Sequence, residues 1–246
     1  MSQREEIFPF VSEAVHAARL DWKQGIREKT HHDEIDRITH QAGFAKRMDW
    51  RDDGRADRMW CGFAVASWLY SAGLAKDLRK GFWHVKNVED YFRYRYGKRV
   101  PRWAVVGVSG DELVDLKQFH EENDAPRLWI DNEDIEAMAR EDGPHMIGFS
   151  DYGLLRLGDV ALIDGGADGT ANHITMVQSY EGPVLTTVEG NAGGMLWSPE
   201  EGKELRVKRD AVTINRRDLE DPRQRAKIYG VGTLSLIDFA HHRYKR

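Results

Sequence analysis

Met59-Trp60-Cys61-Gly62-Phe63-Ala64-Val65-Ala66-Ser67-Trp68-Leu69-Tyr70 is the stretch on which the reading of the fold turns. It carries the single cysteine of a 246-residue chain. Its apolar residues fall on every side of a helical wheel, so a helix over it belongs inside the molecule, not on the surface. A thiol in the first turn of such a helix lies beside unpaired backbone N–H groups and the positive end of the dipole, which favours thiolate. Cysteine also serves as a small buried hydrophobe, so Cys61 signals chemistry only if partners are found elsewhere in the chain.

The partners come from the C-terminal half, where the texture changes from helical to strand-like. Gly158-Asp159-Val160-Ala161-Leu162-Ile163-Asp164 is a short apolar run followed by a glycine-rich loop, Gly165 to Gly169. His173 to Tyr180 and Val184 to Asn191 read as two strands joined by Glu181-Gly182-Pro183, a hairpin-length connection. With the turn centred on Gly182, His173 stands opposite Asn191 and Thr175 opposite Glu189, all four on one face. Either Glu189 or Asn191 is then placed to accept the Nδ1 proton of His173. Further strands are expected at Leu205 to Lys208 and Gly230 to Ile237, with a basic tail from His241 to Arg246.

Upstream, the periodicity of Ile7, Phe10, Val11, Ala14, Val15 and Ala18 predicts an amphipathic helix over residues 5 to 23, with Pro9 in its first turn. A second helix is expected from Asp33 to Gln41, stopped at Gly43, and another from Val85 to Tyr94. The acidic openings Gly110-Asp111-Glu112 and Asp131-Asn132-Glu133-Asp134 predict two helices within Trp103 to Met146. His31, His32, Asp33 and Glu34 point in different directions on a helix and have no matching cluster downstream, so no metal site is expected there. The loop Asp49 to Asp57 has Arg51 and Trp60 where a calcium loop needs oxygen ligands; it reads as a surface turn in which Asp57 caps the following helix.

Composition narrows the class. A formal charge of -5, from 36 basic and 41 acidic side chains, gives no broad positive field, and no nucleic-acid partner is expected. One cysteine allows no internal disulfide. No apolar run reaches the ~20 residues that span a bilayer, so no membrane span is expected. The amino terminus is charged throughout and lacks the apolar core of a Sec signal.

The succession of helix-borne Cys61, the Gly158-Asp159 strand, Asn172-His173-Ile174 and Thr187-Val188-Glu189-Gly190-Asn191 resembles the papain-like CHAP and NlpC-type cysteine peptidases and amidases that cut bacterial peptidoglycan. The resemblance covers residues 55 to 75 and 155 to 237. It implies an α+β fold: a central helix bearing the cysteine packed on an antiparallel β-sheet, with extra helices around it. The whole chain, 1–246, would be one papain-like catalytic domain with a helical extension at 1–50 and a helical insertion at 100–150. Cys61 would be the nucleophile, His173 the general base, and Glu189 and Asn191 the groups that orient the ring. Trp60 and Trp197 would line the substrate groove. No metal or organic cofactor is called for.

CHAP members often carry Gln just before the cysteine, where this chain has Trp60. Gln41 is too distant in sequence to be assigned that role, so the oxyanion contacts fall to backbone N–H groups at the helix start. The implied partner is peptidoglycan or its peptide stem, reached in the periplasm or cell wall by a non-Sec route from the cytoplasm, with a cognate inhibitor or delivery partner. Two alternatives stay open at the level of sequence: the same chemistry on a protein substrate, as in a toxin, deamidase or protease, and a non-catalytic binding module with a vestigial site.

Overall fold

A computed structural model describes residues 3–44, 46, 48–56, 58–73, 80–92, 104–106, 113–115, 129–132, 157–181 and 183–232. The helix that opens on the cysteine, α3 (Cys61–Ser71), is buried at every residue from Cys61 to Leu69, as an apolar run without a polar face requires. Two groups on it that need partners inside have them. The Trp68 indole N–H donates to Asp21 at 2.8 Å, and the Ser67 hydroxyl to Gln41 Oε1 at 2.7 Å. These bonds tie α3 to α1 (Gln3–Lys23) and α2 (His32–Gln41). Ala14, Val15, Ala18 and Trp22 of α1 and Ile35 and Ile38 of α2 enter the same core as α3. Each large aliphatic side chain fully buried there contributes about 1.5–3 kcal/mol.

After a 3-10 turn at Lys80–Trp83 comes α4 (Val85–Phe92), followed by strands β1 (Ala104–Val106), β2 (Leu113–Asp115), β3 (Trp129–Asp131), β4 (Val160–Ile163), β5 (His173–Glu181), β6 (Val184–Ser198), β7 (Lys203–Asp218) and β8 (Ile228–Gly232). A single helical turn, Pro222–Arg225, lies between β7 and β8. Six strands form one antiparallel sheet in the order β3-β8-β4-β5-β6-β7. One face of the sheet, with Val160, Leu162, Ile174, Met176, Val188, Val212 and Ile214, joins the core of α1 to α3. The alternate residues Ala161, Ile163, Val177 and Leu185, with Leu219, Ile228 and Val231, form a second buried cluster. Burial on both faces explains why β4 reads as an unbroken apolar run. The chain is therefore α+β, helices against an antiparallel sheet.

Several local expectations change. Helix α1 starts at Gln3, which moves Pro9 into the second turn, where it removes a backbone bond instead of opening the helix. The N-cap of α3 is Trp60, without a side-chain capping bond; Asp57, expected to cap this helix, lies outside the described residues. The described parts of the 100–150 block are three short strands and, directly after the third, the helical residue Asn132. β1 and β2 pair with each other, and β3 joins the main sheet beside β8. Leu113–Asp115 is extended where a helix opened by Gly110 was expected, whereas Asp131 ends a strand and Asn132 after it is helical, at the expected opening of the second helix. The β-branched and aromatic residues at these positions find partner strands, which outweigh an acidic first-turn signal. The remainder of both expected helices and the basic tail lie outside the described residues.

Candidate active site

The site is assembled where the start of α3 meets the start of β5 and the middle of β6. Two glycines set that approach. A Cβ on Gly62 would lie 2.2 Å from the Phe82 carbonyl oxygen, so the residue after the cysteine lets the 3-10 turn close over the helix start. A Cβ on Gly190 would lie 2.4 Å from Ala64 Cβ and 3.0 Å from the Trp60 ring, so β6 can touch α3 only with glycine there. Ala64 donates back to the Trp60 carbonyl at 2.9 Å, which leaves the N–H groups of Cys61, Gly62 and Phe63 for partners outside the helix ladder.

Cys61 is hydrogen-bonded to His173 and accepts from the backbone N–H groups of Ile174 and Gly62. Burial pushes its thiol up, but these bonds and the charge of His173 outweigh burial and hold it below its ordinary value. His173 Nε2 lies 3.0 Å from Glu189 Oε2. The carboxylate thus meets Nε2, not Nδ1 as the sequence arithmetic suggested, and Nδ1 is the ring nitrogen left for the thiol. Burial lowers the affinity of the His173 ring for its second proton, but its bonds to Cys61 and Glu189 raise its pKa to about 10. Both shifts favour the thiolate–imidazolium form of the pair over thiol and neutral ring.

Glu189 is buried and its two oxygens are divided between partners. Oε2 serves His173, while Oε1 accepts from the Thr187 hydroxyl at 2.6 Å and lies 2.7 Å from Arg217 Nη1. Arg217 also donates to Thr187 Oγ1 at 2.7 Å. Burial raises the carboxyl, but Arg217 foremost, with His173, brings it down to about 2. Arg217 lies beyond the strand expected from the sequence, Leu205 to Lys208, because that strand runs on to Asp218. Val212 and Ile214, alternating with Thr213, Asn215 and Arg217, carry the signal that extends β7 to Asp218.

Asn191 does not orient the histidine. The ladder between β5 and β6 runs from Met176 opposite Val188 to Glu181 opposite Val184, with a shift between Val177 and Ser179. Beyond Glu189, β6 bulges and Asn191 takes a left-handed conformation, φ 56°, which breaks the alternation that would carry its side chain to His173. With its amide oriented to satisfy both atoms, Asn191 donates to Glu28 Oε2 at 3.1 Å and accepts from the Trp60 N–H at 3.3 Å. Glu28 also accepts from the Ala56 N–H at 2.5 Å and the Trp60 indole N–H at 3.0 Å. Glu28 and Asn191 together fix the backbone that leads into Cys61.

Neither tryptophan lines a groove at the thiol. Trp60 is fully buried beneath the helix start, its one polar atom bonded to Glu28. Trp197 packs against Trp22, ring centroids 5.7 Å apart, with Lys23 Nζ 3.6 Å above its own ring. Gln41 accepts from Ser67 and Arg37, on the α2 side of the core. His32 stacks on Trp50, and His31 accepts from the Arg27 N–H. Among the described residues, no group of three or more His, Cys, Asp or Glu is placed to hold a metal ion, and no helix is long and apolar enough to cross a membrane.

No model of a known protein family, no curated protein and no solved structure matches the chain. The geometry sets a thiol of lowered pKa at a helix start, a histidine of raised pKa bonded to it, and an ionised carboxylate behind the ring. That arrangement can deliver a nucleophile to an acyl carbon and a proton to its leaving group.

Proposed function

We propose that this chain is a cysteine-dependent amide hydrolase of the papain-like type whose substrate is bacterial peptidoglycan, cut at the sugar-to-peptide junction or within the peptide stem. The observation that carries the chemistry is the bonded series Cys61, His173, Glu189, formed between residues of α3, β5 and β6. The substrate class rests on the resemblance of the cysteine, histidine and Glu189-Gly190-Asn191 segments to the CHAP and NlpC-type enzymes.

In this reading Cys61 Sγ attacks the amide carbonyl carbon and forms a tetrahedral intermediate. Its oxyanion is met by backbone N–H groups at the α3 start, where the dipole favours negative charge. His173 gives its proton to the amide nitrogen, the C–N bond breaks, and the amine leaves an acyl thioester on Cys61. Neutral His173 then takes a proton from water as the hydroxyl oxygen attacks the thioester carbon. Breaking the C–S bond releases the acid and restores the thiolate and imidazolium. Glu189 stays ionised throughout and stabilises the imidazolium.

The test is incubation of wild type and Cys61→Ala with purified sacculi, with the soluble products identified by mass spectrometry. Wild type should release fragments carrying new amine and carboxyl ends, and Cys61→Ala none. Equal release by both would remove the mechanism. Intact sacculi, together with fast alkylation of Cys61 at pH 6, would leave the thiol chemistry and move the substrate to another class of amide.

A further inference from the structure

The charges at the site do not stop at Glu189. They alternate through four side chains on four elements: Cys61 on α3, His173 on β5, Glu189 on β6 and Arg217 on β7. Resting on the catalytic reading of Cys61, we propose that Arg217 is a positioning residue, locking Glu189 in its ionised, His-facing rotamer so that the thiolate–imidazolium pair survives into acid.

A carboxylate facing an imidazolium inside a protein has two ways to lose the pair. It can rotate away, or it can take up a proton once burial outweighs the attraction of the ring. Arg217 Nη1 and the Thr187 hydroxyl both hold Oε1, at 2.7 and 2.6 Å, which leaves Oε2 the only oxygen turned to His173. Arg217 is itself held by Thr187 at 2.7 Å, so the two donors are mutually braced. Among the described residues, the charged and titratable groups that act on Glu189 are His173 from β5 and Arg217 from β7; its ladder partner on β7, Thr213, is neutral. With Arg217 gone, burial is opposed, among the described residues, by the neutral Thr187 hydroxyl and by the histidine, whose charge depends on the carboxylate it should stabilise. Protonation of Glu189 at mildly acid pH then collapses the imidazolium and raises the thiol.

The acid limb of Cys61 alkylation reports this directly and needs no substrate. Iodoacetamide rates are measured from pH 4 to 9 on wild type, Arg217→Met, Arg217→Gln and Arg217→Lys, with folding checked by circular dichroism. Arg217→Gln keeps a donor for Thr187 and Glu189 and covers the case in which methionine is not accommodated. The neutral variants should move the acid limb up by about one pH unit, so that labelling slows by about threefold near the limb and approaches tenfold at the acid end of the range. At pH 8 their rates should stay within about twofold of wild type. Arg217→Lys should recover most of the shift, because the cation, not the shape of the side chain, holds the carboxylate ionised.

A wild-type limb below pH 5 that is unchanged in folded Arg217→Met or Arg217→Gln overturns the inference and leaves the catalytic reading intact. A wild-type profile equal to that of a free thiol overturns the catalytic reading, and the role of Arg217 with it. A uniform loss at every pH would mark Arg217 as merely structural and also overturns the inference.

Discussion

Replacing Gly190 by alanine tests the claim that contact between β6 and α3 sets the position of the thiol. The added methyl would stand 2.4 Å from Ala64 Cβ and 3.0 and 3.2 Å from two atoms of the Trp60 ring. Neither neighbour can step aside: Ala64 is part of the helix wall, and Trp60 is fully buried and bonded through its indole to Glu28. Restoring ordinary contact at about 3.4 Å therefore requires β6 and α3 to separate by about 1 Å. Overpacking of this kind costs about 1–3 kcal/mol, and in a chain of this size each kcal/mol lowers Tm by about 2–4 °C.

The chemistry should suffer more than the stability. Cys61 travels with α3 and Glu189 with β6, so the displacement falls on the geometry that couples them through His173. A misplacement of about 1 Å at a reacting centre costs on the order of a hundredfold in rate. Gly190→Ala should thus melt about 2–12 °C below wild type and alkylate several-fold more slowly at pH 6, with the rate at pH 9 far less affected. Scanning calorimetry and timed iodoacetamide labelling read the two effects. A variant with wild-type Tm and a wild-type labelling profile would refute the account of how the strand and helix meet.

Three further outcomes follow from the same contacts. Glu189→Gln removes a charge-assisted bond at 3.0 Å, worth about 1.5–3 kcal/mol, and should raise the acid limb of Cys61 labelling by about one to two pH units; an unmoved limb would remove Glu189 from the site. Glu28→Ala strands the N–H groups of Ala56 and Trp60, at about 1–3 kcal/mol for each donor left buried without a partner. Urea denaturation should show that loss, and a midpoint equal to wild type would contradict it. For pH, the pKa of His173 rises from 6.5 to about 10 on folding, so the stability it contributes is complete below pH 6.5 and is lost as pH climbs through 10. Glu189, lowered from 4.5 to about 2, contributes stability that is complete above pH 4.5 and lost as pH falls through 2. In NMR the His173 ring should still report imidazolium at pH 8, and a neutral ring there would show that it is not held protonated.

Much of the site was legible because its signals are local. A lone cysteine at the head of an apolar run points to one buried helix and one thiol. The hairpin turn places His173 and Glu189 within reach, and Met176 does stand opposite Val188 and Val177 opposite Thr187. What was hidden depends on departures from regularity. Strict alternation would carry Asn191 to the histidine, and its φ of 56° interrupts that alternation. Trp60 was read as a groove aromatic, and its burial depends on Glu28, a residue with no local mark of function. The strands at 104–106, 113–115 and 129–131 are each only three residues long, too short for periodicity to outweigh neighbouring acidic helix signals.

Spacing and period by themselves pointed to helices followed by strands, to the buried cysteine helix, and to a thiol, an imidazole and either an acid or an amide as candidates, because each follows from side-chain chemistry and backbone period over a few residues. Only the tertiary structure decided which ring nitrogen meets the acid, which side chain anchors that acid, and what the amide beside it does instead. Those choices are made by bulges, close approaches at glycine and burial, all of which depend on segments that meet in space while lying far apart in the chain.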